Sequence, residues 1–168
     1  LSLVGSEMCI RDRQWDYRPP QSEARTMQKT TVIAVGKLKE RFWKDACAEY
    51  LKRLGSYTDT TVREVPDSNP AREEAGICAA LDKLPADTHV ILLDIKGRET
   101  SSTELSHKLD DLALHGTSNV AFVVGGSDGV TPTVKDRADE RMSFGPITLP
   151  HNLARVVLLE QIYRAHKI

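Results

Sequence analysis

The chain has 168 residues, 40% of them hydrophobic and 28% charged, with 23 basic and 24 acidic side chains and a formal net charge of −1. That is length for one domain with a real core, and a composition that excludes intrinsic disorder. No apolar run approaches the roughly 20 residues that span a bilayer as a helix, and the near-neutral total speaks against a uniformly basic nucleic-acid binder.

Residues 1–26 show little apolar periodicity, contain Pro19 and Pro20, and stop at Met27. They read as a non-native extension ahead of a natural start, and the apolar stretch around Leu3 and Val4 is too short for a signal peptide. From there strands and helices alternate. Residues 30–36, TTVIAVG, read as a buried β-branched strand. Residues 40–54 follow as a helix with Phe42, Ala46, Tyr50 and Leu54 at four-residue spacing, ended by Gly55. Residues 57–65 predict a second strand, and residues 70–84 a helix with Ile77 and Leu81 on one face. The run VILLDI at 90–95 is that of a strand covered on both faces. Residues 101–115 predict a helix with Ser or Thr at its start and Gly116 beyond its end. VAFVV at 120–124 is another buried strand, ending at Gly125 and Gly126. Thr131 and Pro132 open a short helix as N-cap and first residue. Residues 142–149 predict a last strand, and residues 152–167 a final, strongly apolar helix. This alternation indicates an α/β domain with a mainly parallel sheet.

The small net charge conceals an uneven layout. Residues 27–63 carry eight basic and four acidic side chains, residues 64–140 seven and fifteen, and residues 141–168 four and one. Brought together, the two basic ends would offer one cationic face to an anionic partner; left apart, they are ordinary solvated surface. The odd cysteine count (Cys9, Cys47, Cys78) without CxxC spacing fits a reduced, cytosolic protein. The histidines lack HxxxH or HExxH pairing, so no metal is expected.

Three segments carry chemical interest. In VVGGSDGVTP (123–132), paired glycines at the carboxyl end of a strand let a ligand approach the backbone, or serve a tight turn. There is no GxGxxG and no GK[ST], which favours a nucleotide-like ligand over a phosphate cradle. In FGPITLPH (144–151), Pro146 and Pro150 remove donors, leaving either a rigid loop able to meet an adenine edge or a bent edge strand. The last helix is apolar on nearly every side, which suggests burial by its own sheet and by a second subunit. Within it Glu160 reads as a buried partner for an arginine rather than a catalytic base.

The order of these pieces decides more than any one of them. VIAVGKLKE and WKDACAEYLKRL, then VILLDIKGRETSSTELSHKL, VAFVVGGSDGV and SFGPITLPHNLARVVLLEQIYRAHKI resemble the SPOUT-class ribosomal large-subunit RNA methyltransferases, specifically the RlmH-type pseudouridine N3-methyltransferases. The resemblance covers residues 28–168 and rests on LDxxG, GGxxG and TLPHxLxRVxLxEQxYRA in that order. It implies a small, single-domain, dimeric SPOUT-type α/β fold with a C-terminal trefoil knot, a feature no periodicity reveals.

The resemblance also implies S-adenosyl-L-methionine as methyl donor, bound by Leu93, by Gly125, and by Phe144, Gly145, Pro146, Ile147, Thr148 and Leu149. The residues agree, because a sulfonium without phosphate suits glycines and backbone amides. The partner implied is 23S rRNA in the ribosome, met in the cytoplasm by a homodimer with no membrane and no metal. The basic ends would contact its phosphates. His151, Arg155 and Arg164 are placed nearest the RNA or the methyl: His151 and Arg155 as catalytic candidates, Arg155 and Arg164 as RNA ligands. Methyl transfer to N3 needs in-line positioning and a group to take the N3 proton. His151 has the side chain type for that, or is a structural histidine at a strand–helix junction. The target base must be exposed or flipped.

One departure stands out. The family continues into a short tail with a Pro-Tyr-His type motif, whereas this chain stops at Ile168, so weak or absent methylation is expected. The alternatives are a SPOUT enzyme acting on another RNA such as tRNA, or a noncatalytic nucleotide-binding or ribosome-associated module.

Overall fold

The computed structural model describes residues 27–168. The segment read as an extension, with Cys9, lies outside the described residues. β1 (Lys29–Val35) leads through α1 (Arg41–Leu54) to β2 (Asp59–Val65) and α2 (Pro70–Asp82). There follow β3 (His89–Glu99), α3 (Ser102–Leu114), β4 (Asn119–Val124), α4 (Pro132–Arg137), β5 (Glu140–Ser143) and α5 (His151–Lys167). The strands pair in the order β2-β1-β4-β3-β5, every pair parallel. The α/β class with a parallel sheet, expected from the alternation, is the class observed.

The apolar runs explain the layers. Successive strand residues point to opposite faces, so β1 sends Val32 and Ala34 to one side and Ile33 and Val35 to the other. The first side is covered by α1, α3 and α5, whose Leu54, Leu109, Leu158 and Ile162 pack on Val120 and Phe122. The second is covered by α2 and α4 through Ile77, Leu81 and Val134. Each such Leu or Ile, removed from water, contributes about 1.5–3 kcal/mol.

α5 packs between α1 and α3. Much of its apolar circumference is therefore covered within the chain, and only Leu153, Val156 and Val157 stay half-buried beside polar positions. These three are the apolar positions of α5 that the chain itself leaves uncovered, so the expectation of a second subunit bears on them alone.

Several ends differ from expectation. The last strand spans only Glu140–Ser143, and residues 144–150 are a loop. Two prolines and Gly145, at φ +111, stop the ladder there. β3 runs on to Glu99 past a register break. Gly55 closes α1 in the right-handed region (φ −56, ψ −20), not as a left-handed terminator. Ser101 and Glu104 form a reciprocal capping box on α3. Thr131 caps α4 by position, but its hydroxyl makes no capping bond.

Candidate active site

β3 and β4 carry continuous apolar runs, residues 90–93 and 120–124, up to the level where the chain leaves the sheet. A cleft of about 770 Å³ lies there, where open parallel sheets place ligands. Its walls are residues 93–95 at the break in β3, residues 124–130 after β4, Lys135 of α4, the loop after β5, and the first turn of α5.

The break in β3 builds one wall. Leu93 and Arg98 both register on Met142, so residues 94–97 loop out between them. Gly97 lets β3 rejoin β5: a Cβ there would lie 2.7 Å from the Arg141 carbonyl carbon and 2.8 Å from the Met142 nitrogen. This gives the LDxxG spacing a physical reason. The excursion puts Asp94 into the cleft wall.

The glycine segment builds another. A Cβ on Gly125 would come within 2.8 Å of Val130 Cγ1, and one on Gly126 within 3.1 Å of Val35 Cγ1. The Gly129 N–H donates to the Gly126 carbonyl at 3.1 Å, with Gly129 at φ +77. The glycines therefore serve a tight turn, and that turn is the cleft wall; the two readings coincide. In the third wall the Gly145 N–H donates to Ser143 Oγ at 3.0 Å, which fixes the chain as it leaves β5.

Leu93, Gly125, Phe144, Gly145, Ile147, Thr148 and Leu149 all line this one cleft, whereas Pro146 is exposed outside it. His151, the first residue of α5, lines it too, and a Cβ on Gly36 would sit 3.3 Å from its Nε2. Gly36, at φ +95, leaves room for that ring.

The arginines go elsewhere. Arg155 is 2% exposed and lines no part of the cleft. Its Nη2 donates to the Gly36 carbonyl at 2.8 Å and its Nη1 to Glu64 Oε2 at 3.2 Å. Helical periodicity puts it on the face that carries Leu158, Leu159 and Ile162 into the core. A guanidinium so placed braces the interior and stands apart from the cleft lining, where its expected catalytic and RNA-binding roles would be exercised. Arg164 lies 13 residues along α5 from His151, about 20 Å along the helix axis, away from the cleft. Its Nε donates to Glu160 at 2.9 Å. Glu160 thus partners an arginine as expected, but from a half-buried position and with an exposed Arg164 side chain. Cys47 lies in the same interior region as Arg155, and burial pushes its thiol up, partly offset by the Arg155 charge.

A family model described as "Predicted SPOUT methyltransferase" matches residues 28–168. The chain belongs to the SPOUT methyltransferase family. Its relatives include the ribosomal RNA large subunit methyltransferase H of Bacillus cytotoxicus, 46% identical over 149 residues, which are 82% of this chain and 93% of that protein. The enzyme of the same name from Bacillus thuringiensis is 47% identical over the same shares. A methylase family protein from Neisseria gonorrhoeae, of known crystal structure, aligns with a TM-score of 0.51 at 16% identity over 87% of this chain and 86% of that one. That last likeness concerns the fold alone.

Two cleft residues of this SPOUT methyltransferase escaped the sequence reading. Asp94 accepts the Lys96 N–H at 3.1 Å through Oδ1, while its buried Oδ2 has no hydrogen-bond partner and lies 3.6 Å from Arg141 Nη1. Its place in LDxxG was the available signal. Lys135 had none, because its position in the cleft depends on how α4 folds back over the glycine turn.

Proposed function

We propose that the chain transfers a methyl group from S-adenosylmethionine to N3 of a pseudouridine in large-subunit ribosomal RNA, as a cytoplasmic homodimer. The observation that carries this reading is the cleft, which gathers residues 93–95, 124–130, 144–145 and 147–149 at one end of the sheet. The identity to enzymes named for large-subunit ribosomal RNA supports the substrate class. The reading includes a trefoil knot around this cleft.

The residues present fit the donor. Backbone-lined walls without a lysine-bearing phosphate loop suit an adenosyl group, and the buried, unsatisfied Oδ2 of Asp94 is an acceptor awaiting a ligand donor. When bound, S-adenosylmethionine supplies an electrophilic methyl on a sulfonium. Leu93, Gly125, Phe144, Gly145, Ile147, Thr148 and Leu149 would hold it by shape and backbone groups, and Asp94 by its carboxylate. Fixing the acceptor base in line is the main work of the protein. The imidazole of His151, at the cleft edge, is the group positioned to take the N3 proton. Exposed Ile95 and Ile147 at the cleft rim support a second copy as cover.

Calorimetry with S-adenosylmethionine and tritium transfer to ribosomes, free rRNA and tRNA test the reading. Donor binding is expected, with whatever label the chain transfers going to ribosomes. A chain that binds no donor is the noncatalytic module, and labelling confined to tRNA assigns another substrate.

A further inference from the structure

The chain between β1 and α1 is firmly held, with Gly36 and Leu38 buried and Lys37, Lys39 and Glu40 exposed. The Gly36 N–H donates to the Val65 carbonyl at 2.8 Å, and Arg155 holds the Gly36 carbonyl. The Leu38 N–H donates to Glu64 Oε2 at 3.3 Å, while the Leu38 side chain is buried in the core. With Leu38 turned inward, its neighbours Lys37 and Lys39 both face solvent. The Gly36 backbone lies against the ring of His151, so this segment borders the cleft.

The first turn of α1 extends the same surface. Arg41 and Lys44 are exposed there, and no acidic residue occupies that turn. Cations are unfavourable at the positive end of a helix, where acids are preferred. Glu40 at the N-cap makes no side-chain capping bond. Among the described residues Lys37, Lys39 and Lys44 enter no ion pair, and Arg41 meets only Asp45, at 3.6 Å with both side chains solvated. In the middle of these charges Phe42 is 62% exposed, its ring 4.9 Å from that of Trp43, which is itself packed on the core. An exposed aromatic ring flanked by cations, on a braced backbone, is the combination that binds unpaired nucleotides: phosphates on the cations and a base on the ring.

We propose that residues 37–44 form the RNA-docking lip of this enzyme, with Lys37, Lys39, Arg41 and Lys44 on backbone phosphates and Phe42 stacked on an unpaired base next to the target. This rests on the reading of ribosomal RNA as substrate. It moves the RNA contact from the arginines of α5 to the loop that Arg155 braces.

The test uses the full chain, its donor affinity measured by calorimetry as a control, and a fluorescent RNA hairpin with an unpaired loop as probe. Lys37→Ala with Lys39→Ala is expected to reduce the slope of log affinity against log salt by about 1.4, for two single-strand phosphate contacts. Phe42→Ala is expected to weaken RNA binding about tenfold at every salt concentration and Phe42→Trp to restore it. In tritium transfer the same variants raise KM for ribosomes while kcat and donor affinity hold. Unchanged RNA affinity and KM in both variants overturn the lip while leaving the methyltransferase reading intact. Phe42→Ala that alters only the sedimentation of the protein makes the patch a protein contact and also overturns it. A wild-type chain that binds donor but labels tRNA in place of ribosomal RNA overturns the substrate reading, and the lip with it.

Discussion

Arg155 of α5 and Glu64 of β2 meet at 3.2 Å across the carboxyl end of the sheet, although 91 residues separate them. Arg155 is buried, whereas the Glu64 side chain keeps 43% of its exposure. The pair joins three segments: β2 through Glu64, the turn after β1 through the Gly36 carbonyl, and α5 itself. Since Glu64 also accepts the Leu38 N–H, one carboxylate and one guanidinium set the path of residues 36–38 beside the cleft.

Removing that guanidinium leaves the Gly36 carbonyl without its partner. Arg155→Ala is expected to lower stability by about 1–3 kcal/mol, the cost of an unsatisfied buried acceptor, with Glu64 partly rehydrated. Arg155→Lys recovers little, because an ammonium cannot span two acceptors as a fork does. Urea unfolding measures the loss. If Arg155→Ala weakens RNA binding with its unfolding midpoint unmoved, the bracing role is wrong and an RNA contact is restored.

Gly97 is the next point of failure. The place its Cβ would take is closed by the Arg141–Met142 peptide of β5, which cannot rotate away as a side chain can. Gly97→Ala is expected to destabilise by about 1–3 kcal/mol through overpacking. It also shifts the excursion that carries Asp94, so donor affinity falls with it. Gly129→Ala is the comparison: nothing lies within 4 Å of its Cβ position, and only its φ of +77 resists. That change costs about 1–2 kcal/mol in thermal unfolding.

Where apolar periodicity sets structure, the chain was legible: the strands around Val32, Leu92 and Phe122 and the helix through Leu158 and Ile162 lie within a few residues of expectation. The cleft was legible because its walls coincide with glycine and proline interruptions. Arg155 was not, since a cation in an apolar helix reads as functional until the buried partners are known, and Glu64 and Gly36 are far away in sequence. Lys37, Lys39 and Phe42 belonged to a basic segment already noted, but only the inward turn of Leu38 shows which side chains face out.

At the opposite end of the sheet Glu140 accepts from His89 Nε2 at 2.7 Å and from Lys108. Burial alone would raise its carboxyl, but those hydrogen bonds and the two nearby charges carry it below its ordinary value of 4.5. A depressed carboxyl contributes its stability in full above the unfolded value and loses it as pH falls toward the lower folded value. Glu140→Gln is therefore expected to be less stable than wild type at neutral pH, with the gap closing below about pH 4. Thermal unfolding across pH 3–8 reads this directly. A gap that persists unchanged at low pH assigns the loss to packing instead of charge.

His151 separates chemistry from architecture. Its ring lines the cleft and packs on Gly36, so it has a structural position whatever its role in proton transfer. As the proton acceptor, its replacement in His151→Gln is expected to lower kcat about 100-fold, the lower range for a lost general base. KM for donor and the unfolding midpoint stay near wild type. Single-turnover tritium transfer with saturating donor reads the chemical step directly. A variant that keeps its single-turnover rate while its unfolding midpoint drops makes His151 a spacer for the Gly36 turn, and the N3 proton then leaves to water.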